Sequence, residues 1–250
     1  MLSTEERGTE MKKILVIDIG NSSTTFGVFH GKKLRSRWVV KTLKLGEYNL
    51  KSYANYDVIV SSVVPSIDKV LKTKLSQSVF VKASDFDKSM RIRIRRKGEV
   101  GADRAVNAYA AREIYGKPAI VIDFGTATTF DIVSGKGEYL GGAIVSGIQM
   151  TCDALSEKTA KLPHITIKPP KNLIGDSTVE AMRSGILYGY VSLVEGMIAR
   201  FKKKIGSKAI VVATGGYSKL IAKYAKGIDV VDVDLILKGL VGFWFWEGLR

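Results

Sequence analysis

Apolar and polar residues follow one another in similar blocks in the two halves of the chain. Four apolar residues, Ile14–Ile17, precede Asp18, and four more, Ala119–Ile122, precede Asp123. Each block has the length and composition of a buried strand, and small hydroxyl residues follow it before the sequence turns apolar again. The repeated pattern predicts two β-hairpins, over residues 11–29 and 119–133.

The rest of the pattern predicts further strands and helices in both halves. Short apolar segments predict strands over Arg35–Lys41, Asp57–Val64, Val79–Ala83 and Ala209–Gly216, and one that runs into Gly141 and Gly142. Helical spacing and capping signals predict helices over about Ser66–Ser76, Ala105–Tyr115, Ile148–Thr159, 178–204 and Leu235–Leu249. Residues 163–174 contain three prolines and predict an irregular loop. Strands and helices in this order predict an α/β protein with mixed sheets.

The predicted helix 178–204 carries a stripe of small residues. Ser177 opens it, and Glu180 follows three residues later, which is the pattern of a capping box. The small residues recur at intervals of three and four: Ala181, Gly185, Gly189, Ser192 and Gly196. Glycine costs a helix about 1 kcal/mol relative to alanine, so we expect another element to approach the stripe closely. Either another helix of the same chain or a second subunit could pack against these small residues.

Composition is that of a globular protein, with 46% hydrophobic and 25% charged residues in 250. No apolar run reaches the length of about 18 residues that a membrane span needs. The single Cys152 excludes an internal disulfide and suits a reducing cytoplasm, and with two histidines it makes a zinc site a poor prediction. Residues 1–10 lack the apolar segment of a secretion signal, and we expect a disordered extension there.

The net charge of +15 is the unusual feature of the composition. Its densest part is Arg91–Lys97, where Ile92 and Ile94 alternate with basic residues and predict a strand with one basic face. Charge of this kind serves nucleic-acid binding or the protection of an exposed edge strand against aggregation. Both interpretations remain open on the sequence alone.

The two predicted hairpins have the residue types of a phosphate-binding turn. Gly20 and Gly125 permit positive φ and a close approach of the backbone to a ligand. The hydroxyl residues that follow supply side-chain and backbone donors for phosphate oxygens, and the preceding Asp can hold a hydrated metal ion. Two copies, 105 residues apart, predict a duplicated nucleotide-binding core. We expect ligands to lie between the halves, near Thr214–Gly216.

These motifs together resemble the actin-like ATPase superfamily. Additional segments narrow the resemblance to the type III pantothenate kinases, over about residues 12–241. The segments are Asp18–Ser22, Gly101–Arg104, Asp123–Ala127, Gly141–Gly142 with Gly147, Ser177–Thr178 with Ala181 and Gly185, Thr214–Gly216 and Leu237–Leu240. Gly101–Arg104 is the most specific of them.

The resemblance implies a duplicated ribonuclease-H-like fold, with two α/β domains, mixed sheets and a nucleotide cleft between them. We place the domains at residues 11–116 and 117–250. It also implies ATP-dependent phosphorylation of pantothenate to 4′-phosphopantothenate, the first step of coenzyme A biosynthesis. The expected cofactors are ATP, Mg²⁺ and a monovalent cation, K⁺ or NH₄⁺, and the expected assembly is a cytoplasmic homodimer that binds no membrane.

The resemblance assigns roles to particular residues. The residues expected to bind ATP are Asp18, Ile19, Gly20, Asn21, Ser22, Ser23, Thr24, Thr25 and Thr126. The residues expected to bind pantothenate are Gly101, Ala102, Asp103, Arg104 and Thr178, with Asp103 as the proton acceptor. Asp123 is expected to coordinate the monovalent cation. Arg104 suits either the pantothenate carboxylate or phosphate oxygens, while Asp131 is interpreted as a turn or surface residue.

The chain departs from the family pattern before Gly101. Most members carry an aromatic residue and an Asn-Pro turn there, whereas this chain has the basic segment Arg95–Val100. Ser177–Thr178 also replaces the usual Asn-Thr pair. The first departure leaves two alternatives: a kinase of the same fold for another hydroxy acid, and a transcriptional regulator that binds nucleic acid. No helix-turn-helix, zinc finger or RNA-binding motif accompanies the basic segment, so nucleic acid is not the favoured partner.

Overall fold

The protein is described by a computed structural model over residues 12–248. The first of two five-stranded sheets has the order β3-β2-β1-β4-β5. Its strands are β1 (Lys13–Ile19), β2 (Ser23–His30), β3 (Lys33–Lys41), β4 (Asp57–Ser62) and β5 (Val79–Phe80). Strand β1 pairs antiparallel with β2 and parallel with β4, so that the hairpin lies beside a parallel strand.

The second sheet repeats this topology, with the order β10-β9-β6-β7-β8. Its strands are β6 (Ala119–Phe124), β7 (Ala127–Val133), β8 (Tyr139–Ser146), β9 (Ile210–Gly215) and β10 (Val230–Val231). Strand β6 pairs antiparallel with β7 and parallel with β9, as β1 does with its own neighbours. The predicted duplication and both predicted hairpins are therefore confirmed.

Helices connect the strands and cover the sheets. They are α1 (Pro65–Lys74), α2 (Ala102–Tyr115), α3 (Ile148–Lys158), α4 (Thr178–Ile205), α5 (Ser218–Ile221) and α6 (Leu235–Trp246). Helix α4 begins where the sequence predicts it, and the Ser177 hydroxyl accepts a hydrogen bond from the Glu180 amide at 3.3 Å. Helix α2 begins three residues earlier than predicted, so Asp103 lies in its first turn.

Each sheet has its own core. In the first sheet the buried side chains of Leu15, Ile17 and Phe26 alternate with residues that face the other way. In the second sheet Ile120, Ile122, Phe124, Phe130 and Ile132 pack against α4. Because side chains alternate along a strand, Asp123 and Asp131 face the opposite side of this sheet, where α2 covers β6 and β7.

The chain divides into two compact units. One contains the chain up to Val81 and from Leu240 onward, and the other is Lys82–Gly239. The domain boundary at residues 116 and 117, which was drawn from the repeat, stays a prediction, as does the cleft between the domains. Residues 1–11 and 249–250, with the expected disordered extension at 1–10, lie outside the described residues. Within 12–248, no helix combines the length and apolarity needed to cross a membrane.

The basic segment Arg91–Lys97 is not a regular strand. It pairs with the second sheet through one bridge, in which the amide of Arg93 donates to the Tyr139 carbonyl at 2.8 Å and the amide of Tyr139 to the Arg91 carbonyl at 2.9 Å. Acidic residues lie beside three of its side chains: Glu138 at 3.8 Å from Arg93, Glu99 at 3.0 Å from Arg96, and Asp87 at 2.7 Å from Lys97. Much of the charge in this segment is therefore matched locally.

Candidate active site

The first hairpin places Asp18 one residue before the end of β1, half-buried. The turn closes with a hydrogen bond from the Gly20 amide to the Ser23 carbonyl at 3.0 Å. Asn21, Ser22 and Ser23 are exposed at its tip, where their polar groups can meet a ligand.

Thr24 and Ile19 are buried in the same hairpin. The Thr24 hydroxyl lies 3.1 Å from that of Thr42, which itself donates to the Gly20 carbonyl at 2.7 Å. The side chain of Thr24 therefore supports the turn from within, and Thr25, which follows it, is half-buried. Of the predicted ATP residues, Ile19 and Thr24 do not present side chains at the surface.

The expected role of Gly20 and Gly125 is corrected by the backbone. Neither adopts positive φ. A Cβ atom at Gly20 would instead lie 3.1 Å from the Ser23 carbonyl, so the glycine permits a tight turn. Positive φ occurs at Gly215, at +86°, where a Cβ atom would lie 2.4 Å from Oδ1 of Asp123. Gly215 thus leaves room for the Asp123 carboxylate.

Helix α2 carries three of the predicted site residues and contacts the second hairpin through one of them, Arg104, and through Asn107. Gly101 caps the helix, and Oδ1 of Asp103 accepts a hydrogen bond from the Arg104 amide at 2.8 Å. The side chain of Arg104 reaches Asp131 in β7, with Nε 2.9 Å from Oδ1. One turn further along, Nδ2 of Asn107 donates to Oδ2 of Asp123 at 3.0 Å.

Asp131 is a buried residue, and its interpretation as a turn or surface residue is wrong. Its side chain is 0% exposed and lies beneath α2. Besides Arg104, its carboxylate accepts hydrogen bonds from the Tyr139 hydroxyl at 2.7 Å and from Thr129 at 3.1 Å. A polar network of this density compensates for the loss of water around a buried charge.

The carboxylates of Asp103, Asp123 and Asp131 influence one another. The pKa of Asp123 is raised to about 7, first by burial and then by the charges of Asp103 and Asp131, while the hydrogen bond from Asn107 opposes the rise. Burial likewise raises the pKa of Asp103, against the effect of the Arg104 amide. Strongly perturbed carboxylates are typical of functional sites. This arrangement favours proton acceptance and the binding of a cation.

Two other predicted site residues, Thr126 and Thr178, have no contact with Asp103 or Asp131 among the hydrogen bonds and ion pairs described above. Thr126 is exposed beside Gly125, and its carbonyl accepts a hydrogen bond from the Gly147 amide at 3.1 Å. Thr178 lines a groove of about 700 Å³ along α4. The residues that line this groove do not include Asp103 or Asp123.

Asn107 and Tyr139 belong to this cluster but were not predicted from the sequence. Asn107 lies four residues after Asp103, the spacing that places two side chains on one face of a helix, so the predicted helix could have indicated it. Tyr139 gave no such signal, because its contact with Asp131 depends on how β7 and β8 pair.

A family model described as type III pantothenate kinase matches residues 14–200. The type III pantothenate kinase of Moorella thermoacetica is 44% identical over 91% of this chain and 96% of its own length. That of Desulforapulum autotrophicum is 42% identical over 91% of this chain and 94% of its own length.

A solved structure shares the fold at lower identity. It is a Campylobacter jejuni protein described as a candidate Baf family transcriptional activator, 20% identical, with a TM-score of 0.67 over 94% of this chain and 100% of that one. Identity at this level establishes the fold alone. The predicted duplicated α/β fold with mixed sheets is confirmed.

The ligand-free protein is expected to lose stability from Asp123 as pH rises from about 4 through 7. Because the folded pKa of about 7 lies above the ordinary value of 3.8, the folded chain holds a proton in this range that the unfolded chain has released. The stabilisation is complete below pH 3.8 and is lost as pH passes 7. Urea unfolding at several pH values, compared with Asp123→Asn, measures it; a difference independent of pH would contradict this expectation.

Proposed function

The chain belongs to the type III pantothenate kinase family, and from that premise we infer that it transfers the γ-phosphoryl group of ATP to the primary hydroxyl of pantothenate. The product is 4′-phosphopantothenate, and the reaction is the first step of coenzyme A biosynthesis. The observation that carries this function is the 44% identity over nearly the whole chain. The cluster of Asp103, Arg104 and Asp123 supplies groups suited to the reaction.

We propose Asp103 as the acceptor of the hydroxyl proton. Its pKa is raised by burial, which makes it a stronger base than an exposed carboxylate. Proton transfer to a positioned carboxylate requires it to lie within hydrogen-bonding reach of the hydroxyl. The neighbouring backbone of Gly101 and Ala102 would hold pantothenate at the start of α2, and Thr178 would contact it from α4.

The first hairpin turn is proposed to bind ATP phosphates, and Thr126 in the second turn is proposed separately as an ATP-binding residue. Asn21, Ser22 and Ser23 are exposed at the first turn, and Thr126 at the second. Exposed backbone amides and hydroxyls at such turns bind phosphate oxygens. Asp18, at the end of β1, is the carboxylate proposed to hold Mg²⁺ through its water ligands.

The residues present fit a Mg²⁺ ion that is bound mainly by substrate. Within the described part of the chain, no three His, Cys, Asp or Glu side chains are grouped as a metal cage. Mg²⁺ in kinases typically uses one or two carboxylates together with phosphate oxygens, which Asp18 and bound ATP can supply. When bound, the ion neutralises charge on the transferring phosphoryl group.

The residues around Asp123 fit a monovalent cation. Oδ1 of Asn107 is buried and has no hydrogen-bond partner among residues 12–248, while Nδ2 of the same side chain contacts Asp123. A carboxylate whose pKa is raised by burial and by neighbouring negative charge is stabilised by a positive ion. We therefore propose that Asp123 coordinates K⁺ or NH₄⁺.

We also propose that the protein is a cytoplasmic homodimer. A Cβ atom at Gly185 or Gly189 would meet nothing within 4 Å, so packing within the chain does not account for glycine at these two positions. Ala181, Gly185, Gly189 and Ser192 are all exposed on α4. Three of these residues line the apolar groove that also contains Thr178. A second copy on this face would bring another surface to Thr178. The free, buried Cys152 suits a reducing compartment.

The regulator alternative is not favoured. The basic segment that motivated it has acidic partners at Arg93, Arg96 and Lys97. The likeness to a candidate transcriptional activator is a likeness of fold alone. No observation favours another hydroxy acid over pantothenate.

Asp103→Asn is expected to lower kcat by about 10²–10⁴-fold, the usual contribution of a positioned acid or base. The measurement is ADP release from ATP with Mg²⁺ and K⁺, with and without pantothenate. Glu113→Gln, the same change on the far part of α2, is the control and should keep wild-type activity. An unimpaired kcat in folded Asp103→Asn would remove the proton-acceptor role, and a wild type that pantothenate does not stimulate would overturn the function.

Asp123→Ala is expected to abolish activation by potassium, because the proposed cation loses its carboxylate ligand. Activity is titrated with KCl and NH₄Cl in wild type and variant, at ionic strength held constant with a tetramethylammonium salt. The wild type should respond and the variant should not. A wild type with no monovalent-cation dependence would show that the assignment of Asp123 is wrong.

Gly185→Leu is expected to convert a dimer to a monomer. Within the chain a Cβ atom at Gly185 meets nothing within 4 Å. The leucine side chain would therefore clash with the partner subunit and not with the chain itself. Light scattering after size exclusion measures the mass, and Gly135→Leu, equally open in the β7–β8 turn, is the control. A monomeric wild type, or a variant that remains dimeric, would contradict this interface.

A further inference from the structure

The Asp131 carboxylate holds the Arg104 guanidinium from one side. Oδ1 of Asp131 lies 2.9 Å from Nε and 2.8 Å from Nη2 of Arg104, and the same oxygen accepts the Tyr139 hydroxyl at 2.7 Å. Oδ2 accepts a hydrogen bond from Thr129 at 3.1 Å. Both carboxylate oxygens are therefore fixed by other residues, and the direction of Arg104 is fixed with them.

The opposite edge of the guanidinium has no protein partner. Arginine has five N–H donors in one plane, and Asp131 occupies only the edge formed by Nε and Nη2. Nη1 of Arg104 has no hydrogen-bond partner among the described residues, and the side chain retains 15% exposure. The edge formed by Nη1 and Nη2 has the geometry that binds a carboxylate or a phosphate through two parallel hydrogen bonds.

The surrounding strands leave little freedom for this arrangement. Asp131 lies opposite Gly142 in the pairing of β7 with β8. A Cβ atom at Gly142 would lie 1.5 Å from the Phe130 carbonyl oxygen and 3.2 Å from Nη2 of Arg104. The guanidinium thus passes over a position that admits no side chain. Tyr139 is 0% exposed, and its backbone also pairs with Arg91 and Arg93 of the basic segment.

From this geometry we propose that Asp131 and Tyr139 are positioning residues, which orient Arg104 so that its free edge binds an anionic group of the bound substrate. The inference rests on the proposed kinase function and deepens it. Asp131 neutralises the formal charge of Arg104, so the pair adds little long-range attraction for anions. The contact with Asp131 instead fixes the orientation of the guanidinium. A guanidinium that is already fixed on one edge loses less side-chain conformational entropy when its other edge binds a ligand.

The chain contains a matched control for removing the Tyr139 hydroxyl. Tyr139 donates to Asp131 at 2.7 Å, beside Arg104, and Tyr115 donates to Asp232 at 2.8 Å, beside Lys238. Tyr139→Phe and Tyr115→Phe each remove one phenol hydroxyl from a carboxylate that also pairs with a cation. Only Tyr139→Phe is expected to affect the substrate.

The test is the KM of pantothenate and of ATP, measured separately in the full chain from ADP release. Tyr139→Phe should raise one of the two by about tenfold, which corresponds to 1.4 kcal/mol, while Tyr115→Phe leaves both unchanged. Asp131→Asn should raise the same KM further. If both KM values stay within twofold of the wild type in folded Tyr139→Phe and Asp131→Asn, the inference is overturned, whatever happens to kcat.

A double-mutant cycle shows whether Tyr139 acts through Arg104. In an Arg104→Lys background the planar two-edged group is gone, so adding Tyr139→Phe should change KM no further. Equal effects of Tyr139→Phe in both backgrounds would overturn the positioning role. Wild-type turnover separates this failure from that of the function: without pantothenate-dependent ADP release the proposed kinase fails, whereas with it only the positioning inference is at stake.

Discussion

Two polar contacts between α2 and the second hairpin constrain the site: Asn107 with Asp123, and Arg104 with Asp131. Both carboxylates face the side of the sheet that α2 covers, and an unpaired charge there would be costly. The helix can satisfy them only at one rotation and one height along the strands. Asp103 lies in the first turn of the same helix, so its position follows from contacts that it does not itself make.

The two sheets share a topology, but their hairpins differ in what lies behind them. In the first, the hydroxyls of Thr24 and Thr42 lie 3.1 Å apart, and Thr42 donates to the Gly20 carbonyl of the turn at 2.7 Å. In the second, a charged network lies beneath α2. The second copy has thus acquired a charged network made of residues from both its strands and α2.

Much of this arrangement was predictable from local sequence. The apolar runs before Asp18 and Asp123 determine where their strands end, and Ser177 with Glu180 marks the start of α4, because strand burial and helix capping depend on near neighbours. Asp131 was not predictable, since its burial depends on Arg104 and Tyr139, 27 and 8 residues away. The basic run Arg91–Lys97 likewise has a strand pattern but only one bridge, because its pairing depends on Tyr139 in β8. The sequence therefore indicates which residues carry the proposed roles, but the distances between them are known only from the fold.

The raised pKa of Asp123 has a consequence for cation binding. A carboxylate with a pKa of about 7 is protonated in a large fraction of molecules at neutral pH. Any cation that binds it must displace that proton, because the ligand form is the anion. The cation proposed for Asp123 would therefore bind more tightly as pH rises, and its binding in a weakly buffered solution would acidify the medium.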